Sequence, residues 1–527
     1  MTRALTLALL LVVSLLTACT DKRTPEQMKD TLVYGFDDPF GGFDPAEQRM
    51  MKENAIMAQV LEGLTKWDNS LVIRPCLATS WETIGDCRGW RFHLRQNVQF
   101  HDNTPFDSAA VKAHFVRLMD PKTIATKAHL LKNVDRIETP DPMIVEFYLK
   151  EEDCVFPELL TGIFATIPSP TAMAASTPEK PFKYNPVGTG AFRFVSFDVA
   201  TTDIVLEKNP DYWAADTIKL GRLEFRRVAE NTTRLIMLEQ GTFDMADVNY
   251  AQVNVAAKDS DIDLQTIPAL AIRYIGFNNQ KPPFNDVRVR RAANYAVNKA
   301  DLVKYVFFGV GQPATGPLPS SMPVYNPDVS TYDYDPEKAK ALLAEAGYPN
   351  GVDVVMWTQQ TGQYRATTEF VVEYLRKVGI RVKLVVLDNS IYWKKFDDYL
   401  TPDGRRFPTG DGVFDMYVGG WFGGESAQES MEPLFRSDSF SNGGFYVNPK
   451  FDELVKQFKK TGDDAERARM LKEMQSILTE DAPWIFAYFG QTNIGMRGRV
   501  KGFKINPAGR YFFDGVSVTD SDPEVAK

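Results

Sequence analysis

Four histidines, four cysteines and one short Gly-Glu-Ser-Ala-Gln run are the places where this chain could make or break bonds. His93, His101, His114 and His129 all lie in its first quarter. None forms an H-E-x-x-H pair and no cysteines are spaced C-x-x-C, so the familiar zinc spacings are absent. Gly424-Glu425-Ser426-Ala427-Gln428 begins like a nucleophile elbow, but the closing glycine is missing and no histidine follows. Gly188-Thr189-Gly190 could open a dinucleotide fingerprint. Its third glycine is lacking, and Phe192-Arg193-Phe194 alternates like a strand where a helix should start. There is no P-loop, so ATP hydrolysis by the usual route is out of reach. Arg288, Arg290 and Arg291 could form an anion site, yet three arginines in four helical residues cannot face one pocket, which favours a solvated face. These absences argue against an enzyme, a resident metal or a cofactor, and leave non-covalent binding.

Composition agrees. With 527 residues and 44% hydrophobic content the chain can bury more than one core. A net charge of −9 makes a broad nucleic-acid footprint unexpected. Arg3, the apolar run Ala4–Leu16 and Leu16-Thr17-Ala18-Cys19 read as a targeting segment that ends in a lipobox, with Cys19 as the lipidated residue. Residues 1–18 are then a lipoprotein signal peptide and 19–30 a tether. No other apolar run reaches the ~18 residues needed to span a bilayer. Three cysteines remain for an oxidising compartment. Cys76 opens a strand and Cys87 sits in the turn beyond it, so at ~3.3 Å per residue they lie too far apart to be bridged to each other.

The elements that must position any site can be read in order. Thr31–Gly35 is a strand, Gln48–Leu64 a helix, and Ser80–Glu82 and Trp90–Leu94 are strands joined by a turn. Asp107 or Ser108 caps a helix through Leu118. Val134–Leu149 is a hairpin, and Cys154–Ile167 a helix and apolar run. Later, strands at Val352–Trp357 and Ile380–Leu387 flank a helix over Arg365–Val378, a βαβ rhythm that implies a parallel sheet with a right-handed crossover. Asp388–Leu400 is a helix and Pro402–Gly412 an exposed loop. Phe414–Val418 is a strand leading into the loop Gly419–Glu425. Helices at Phe451–Lys460 and Asp464–Glu480 precede a strand at Trp484–Phe489.

Several stretches resemble one family. Glu62-Gly63-Leu64-Thr65, then P-x-L-A-x-S-W from Pro75, then W-R-F-H-L-R-x-N-V-x-F-H-D-x-T-P-F-D-S-A-A-V-K from Trp90 are similar to the signature of family 5 extracytoplasmic solute-binding proteins. These are the peptide- and nickel-type receptors of ABC importers. Asn185–Phe194, Leu206–Trp213 and Tyr274–Asn279 extend the resemblance. Where the family usually has Asp-Gly, this chain has Asp86-Cys87 and Asp102-Asn103. Asn tolerates the left-handed backbone that Gly supplies; Cys does so less readily.

The resemblance implies an α/β, two-lobed periplasmic-binding-protein-like fold (type II, cluster C) with an extra insertion domain in the first lobe. Domain I would comprise 31–47, 186–273 and 483–527; domain II, the insertion, 48–185; domain III, the second lobe, 274–482. It also implies a monomer at the periplasmic or extracellular face of a bacterial membrane. The expected partners are a small solute, an ABC permease with its ATPase, and the bilayer through the N-terminal lipid, with no nucleic acid.

In peptide-binding members an acidic residue after the second lobe's Gly-Trp pairs the peptide amine. Here no aspartate occupies that loop, and Glu425 is the candidate substitute, with Trp421 and Phe422 as an aromatic wall. Asp37, Asp38, Phe40, Asn249, Tyr250, Phe445 and Tyr446 are further ligand-binding candidates, from strand ends expected to face the cleft. The arginine and second-lobe histidine of nickel-type members are absent, which disfavours metal binding through those groups. A peptide is the leading solute. The alternatives are a metal chelate, an opine or an oligosaccharide, or a sensory or chaperone-like lipoprotein without a transport role.

Overall fold

The computed structural model describes residues 29–48, 51–123, 125–397, 414–424, 426–439 and 441–519. Its backbone is organised by two long strands, Ile262–Phe277 and Trp484–Arg497, which pair antiparallel in the middle of one large sheet. On one side the sheet continues through Met245–Asp247, Thr31–Phe36, Arg222–Arg227, Asp203–Lys208 and Phe192–Asp198. On the other it continues through Met416–Phe422, Val352–Gln359 and Ile380–Leu387. The last two are parallel, in register from Val352↔Ile380 to Gln359↔Leu387, with helix Gly362–Lys377 as their crossover.

The two flanks attach at opposite ends of the crossing strands, and this makes two lobes of one sheet. Met245–Asp247 pairs at Ile494–Met496, whereas Met416–Phe422 pairs at Ala271–Phe277. Between those ends the register breaks: Pro268 opposes Gln491, but Ile272 opposes Phe489. Three residues of one strand thus face Gly490 alone, a bulge that loosens the ladder where the lobes meet. Pro268 has no N–H to give to a ladder. The freed backbone at Leu270 bonds elsewhere, its N–H to Pro507 O at 3.2 Å and its carbonyl to Gly423 N–H at 2.7 Å.

The insertion builds its own core. Strands Ala78–Ile84, Gly89–Leu94, Ile144–Leu149 and Val134–Asp141 form a separate antiparallel sheet in that order. Helix Ser108–Met119 covers it, with Asp107 accepting from Ala110 N–H at 2.9 Å as its cap. Phe147 sits at the centre, edge-on to Phe92 at 5.8 Å and to Phe115 at 5.0 Å.

Several expectations need correction. The helix expected over Gln48–Leu64 spans only Met51–Met57, because Gln59 and Val60 turn their carbonyls to Phe192 and Gly190 N–H at 3.0 Å. A Cβ on Gly188 would lie 2.0 Å from Val60 O, and one on Gly190 2.4 Å from Gln59 O. The two glycines are therefore there for a close backbone crossing, not for a nucleotide. Cys154–Ile167 holds only the short helix Phe156–Leu159 and a 3-10 turn at Ile163–Ala165. The strand expected at Phe414–Val418 runs Met416–Phe422, so Gly419–Phe422 are ladder residues rather than loop. Helix Ala427–Phe435 was not foreseen; Pro433 inside it hides the pattern.

The arginine trio is only partly solvated. Arg288 pairs with Asp286 at 2.6 Å, while buried Arg290 and half-buried Arg291 donate to Asp481 O and Glu480 O at 2.8 and 2.9 Å. They satisfy the C-terminal carbonyls of helix Asp464–Asp481. Cys87 is disulfide-bonded to Cys154, and Cys76 is a buried free thiol. Cys87 does take the left-handed backbone, with φ +62°, as does Asn103 with φ +63°.

Candidate functional site

Strand ends from both lobes converge beside the bulge. Strands Thr31–Phe36 and Met245–Asp247 deliver Asp37–Asp38 and Asn249–Tyr250 from the first lobe. Strands Val352–Gln359 and Met416–Phe422 deliver Gln359 and Trp421–Gly424 from the second. In open α/β sheets this crevice at the carboxyl ends of strands is where ligands sit.

Trp421 and Phe422 point to opposite faces, as alternation requires. Trp421 is half-buried against the second-lobe core, and its indole N–H is enclosed without an acceptor. Phe422 is 62% exposed, so the pair is not one continuous wall. Glu425 lies outside the described residues, as does Cys19. Asp37 stands 3.6 Å from the fully buried Arg234, and its other oxygen is enclosed without a donor. Arg234 is otherwise committed to Val228 O at 2.6 Å and Asp247 O at 2.8 Å. Asp38 is half-buried next to it. Asn249 spends its side chain on Ala251 N–H at 3.1 Å. Tyr250 packs on Phe307 and Phe308 of the second lobe at 5.8 and 6.0 Å, bridging the lobes.

Three candidates are placed elsewhere. Phe40 packs edge-on to Phe43 and Phe197 at 4.9 and 5.6 Å in the first-lobe core. Phe445 and Tyr446 are buried in the second-lobe core, where Tyr446 donates to Asp481 Oδ2 at 2.5 Å. All three were expected at strand ends facing the cleft; long-range packing puts them in the cores instead. Arg273 was overlooked. It is a lone charge within Ala271-Ile272-Arg273-Tyr274, and that break in an apolar strand was the available signal.

Away from the crevice, the insertion touches the second lobe directly. Cys154 N–H donates to Lys459 O at 2.6 Å, Arg467 Nη1 donates to Cys154 O at 3.4 Å, and Val155 is buried among second-lobe side chains. A cavity of about 710 Å³ adjoins this contact, lined by Lys150, Asp153 and Glu158 on one side and Ser426, Glu432 and Lys459 on the other. Burial pushes the Asp153 carboxyl up to about 6; Lys459 and Arg467 pull it down and Glu432 pushes it further up. Glu158 is raised by the same cause. The described candidates do not line this cavity. Among the described residues there is no cluster of metal-ligating side chains, and no helix is long and apolar enough to cross a membrane.

A family model described as bacterial extracellular solute-binding proteins, family 5 Middle, matches residues 72–442. The chain is 32% identical over 454 residues to the glutathione-binding protein GsiB of Shigella flexneri serotype 5b, covering 85% of this chain and 86% of that one. It is 30% identical over 488 residues to GsiB of Pectobacterium atrosepticum, covering 91% and 93%. Among solved structures, HbpA2 from Haemophilus parasuis superposes with TM-score 0.82 at 27% identity over 93% of this chain and 100% of that one. DppA from Helicobacter pylori in complex with the peptide STSA superposes with TM-score 0.75 at 26% identity, over 94% and 99%.

Proposed function

Because the chain belongs to the family 5 bacterial extracellular solute-binding proteins, we propose that it captures a short peptide between its lobes and hands it to an ABC permease. It would be anchored through lipidated Cys19. The observation that carries this reading is the register break between Pro268/Gln491 and Ile272/Phe489, a hinge in the two strands that, among the described residues, join both flanks of the large sheet. A solute touching both lobes contacts them together only when they are shut, so binding favours closure. The relatives named for glutathione and for a bound peptide support a peptide-like solute. Domains I, II and III divide as 31–47 with 186–273 and 483–527, 48–185, and 274–482.

Small-angle scattering on a panel of di- to pentapeptides and glutathione tests the reading. A radius of gyration that shrinks with at least one of them is expected; a profile unchanged across the panel rejects it. With that solute, Trp421→Ala should weaken calorimetric affinity by roughly tenfold or more through lost aromatic contact. Glu425→Gln should do the same if the solute presents an amine. Unchanged binding in both variants removes those residues from the site.

Closure should also respond to pH. The closed contact holds the Asp153 carboxyl at about 6, whereas an exposed one titrates near ~4. The closed form therefore binds the proton more tightly. This contribution to closure is fully present below the open-form value and is lost as pH rises through about 6. Affinity is expected to fall severalfold between pH 5 and 7.5, solvent screening at a part-exposed group keeping it below the roughly tenfold that full linkage gives over that range. Asp153→Asn should flatten that slope in calorimetry at the two pH values.

A further inference from the structure

Arg273 lies on the crossing strand just past the bulge, register-paired with Gly420 on one side and Tyr488 on the other. Its guanidinium stacks 4.0 Å from the centroid of Tyr364. Nη2 donates to Gln363 Oε1 at 3.2 Å, and Nε is enclosed with no acceptor. Among the described residues no carboxylate pairs with it. Three other enclosed arginines are answered, Arg234 and Arg290 by backbone carbonyls and Arg499 by Asp244 at 2.8 Å. Arg273 is held in place with its Nε left without an acceptor.

Room has been kept for the group. A Cβ on Gly420 would come within 2.0 Å of Arg273 Nη1 and 2.9 Å of the Tyr364 hydroxyl, so only glycine lets the guanidinium lie over that strand. Gly420 is the residue before Trp421, which places the cation at the mouth of the crevice. At the same strand ends, on the opposite face, the Gln359 amide and the Trp421 indole are also enclosed donors without acceptors. Unmet buried donors are costly, and each calls for a group that brings an oxygen. A planar guanidinium with no anion beside it matches a carboxylate in particular.

We propose that Arg273 holds a carboxylate of the solute, the Tyr364 ring and Gln363 fixing the guanidinium and Gly420 giving it space. The captured molecules are then acids: peptides with a free C-terminus or an acidic side chain, rather than amides, esters or neutral sugars. This rests on the crevice being the solute site.

Calorimetry with matched pairs tests it: glutathione against its diethyl ester, and trialanine against trialanine amide. A phosphorylated peptide amide serves as a second anion. The wild-type protein should prefer an acid over its neutral partner by roughly 10- to 100-fold, the usual worth of a charge-assisted bond. Arg273→Gln should bring that ratio near one, and Arg273→Lys should keep part of it. An acid preference that survives in Arg273→Gln overturns the proposal and leaves peptide capture standing. Equal binding of acid and neutral partner by the wild type, or preference for the phosphorylated amide over every acid, also overturns it. Failure of all probes to bind the wild type rejects both.

Discussion

Replacing Cys87 and Cys154 together by alanine is expected to lower the unfolding free energy by about 4 kcal/mol, the chain-entropy value for a loop of this size. The bond spans 67 residues and joins the turn after strand Ala78–Ile84 to the segment that reaches the second lobe. Two further effects push the same way. Cys87 adopts a left-handed φ of +62° that a non-glycine residue resists; Thr83 Oγ1, accepting from its N–H at 3.0 Å, and the bond to Cys154 hold it there. The Cys154 backbone also carries the hydrogen bonds to Lys459 O and from Arg467 Nη1, so freeing it weakens the contact between the insertion and the second lobe. Denaturant unfolding of oxidised, reduced and doubly substituted protein measures the first effect, and the reduced and substituted forms should agree. A loss under about 1 kcal/mol would mean that packing around Phe156, and the Trp90 indole donating to Asp153 O at 2.9 Å, hold the segment without the bond.

How much of this was readable beforehand follows from the range of the interactions involved. Period-two and helical patterns located the strands of the insertion, the capped helix after Asp107 and the parallel pair Val352–Gln359 and Ile380–Leu387, because propensity, caps and burial agree there. Family resemblance, not periodicity, pointed to two lobes. Elements that end for non-local reasons were misjudged. The helix from Met51 stops early since Gln59 and Val60 are needed by a strand more than a hundred residues later. The strand from Met416 runs on through two glycines because the crossing strand opposite supplies the ladder. Local pattern put Asp37, Tyr250 and Trp421 at or just beyond strand ends, which is where they stand. It could not separate them from Phe40, Phe445 and Tyr446, whose burial depends on distant partners. The Cys87–Cys154 pairing was equally out of reach, since spacing excludes partners more easily than it selects one.

Glu62→Leu is expected to cost at least about 3 kcal/mol, and the reason explains what three separate motifs of this chain have in common. Glu62 belongs to Glu-Gly-Leu-Thr, Thr189 to the Gly-Thr-Gly turn, and Tyr212-Trp213 to the Asn-Pro-Asp-Tyr-Trp run. All meet on one buried carboxylate: Thr189 Oγ1 donates at 2.8 Å, Tyr212 Oη at 2.9 Å and Trp213 Nε1 at 3.1 Å. The Cys76 thiol donates at 3.5 Å. These residues tie the insertion to the first lobe, so the motifs record a structural knot rather than a solute contact. Leucine would leave the donors enclosed without an acceptor. Glu62→Gln keeps one acceptor oxygen and should cost only about 1–2 kcal/mol. The pH dependence separates charge from hydrogen bonding. Burial raises the Glu62 carboxyl above its ordinary value, while Thr189, Lys66 and the ring donors pull it back. A raised carboxyl stabilises the fold most with its proton on; that contribution is present below the unfolded value near ~4.3 and is lost as pH rises through the folded one. Glutamine carries no such titration, so the gap between wild type and Glu62→Gln should narrow from pH 5 to pH 7.5 in urea unfolding. A gap that widens over that range would show that the ionised carboxylate is the favoured form and that its donors outweigh its burial.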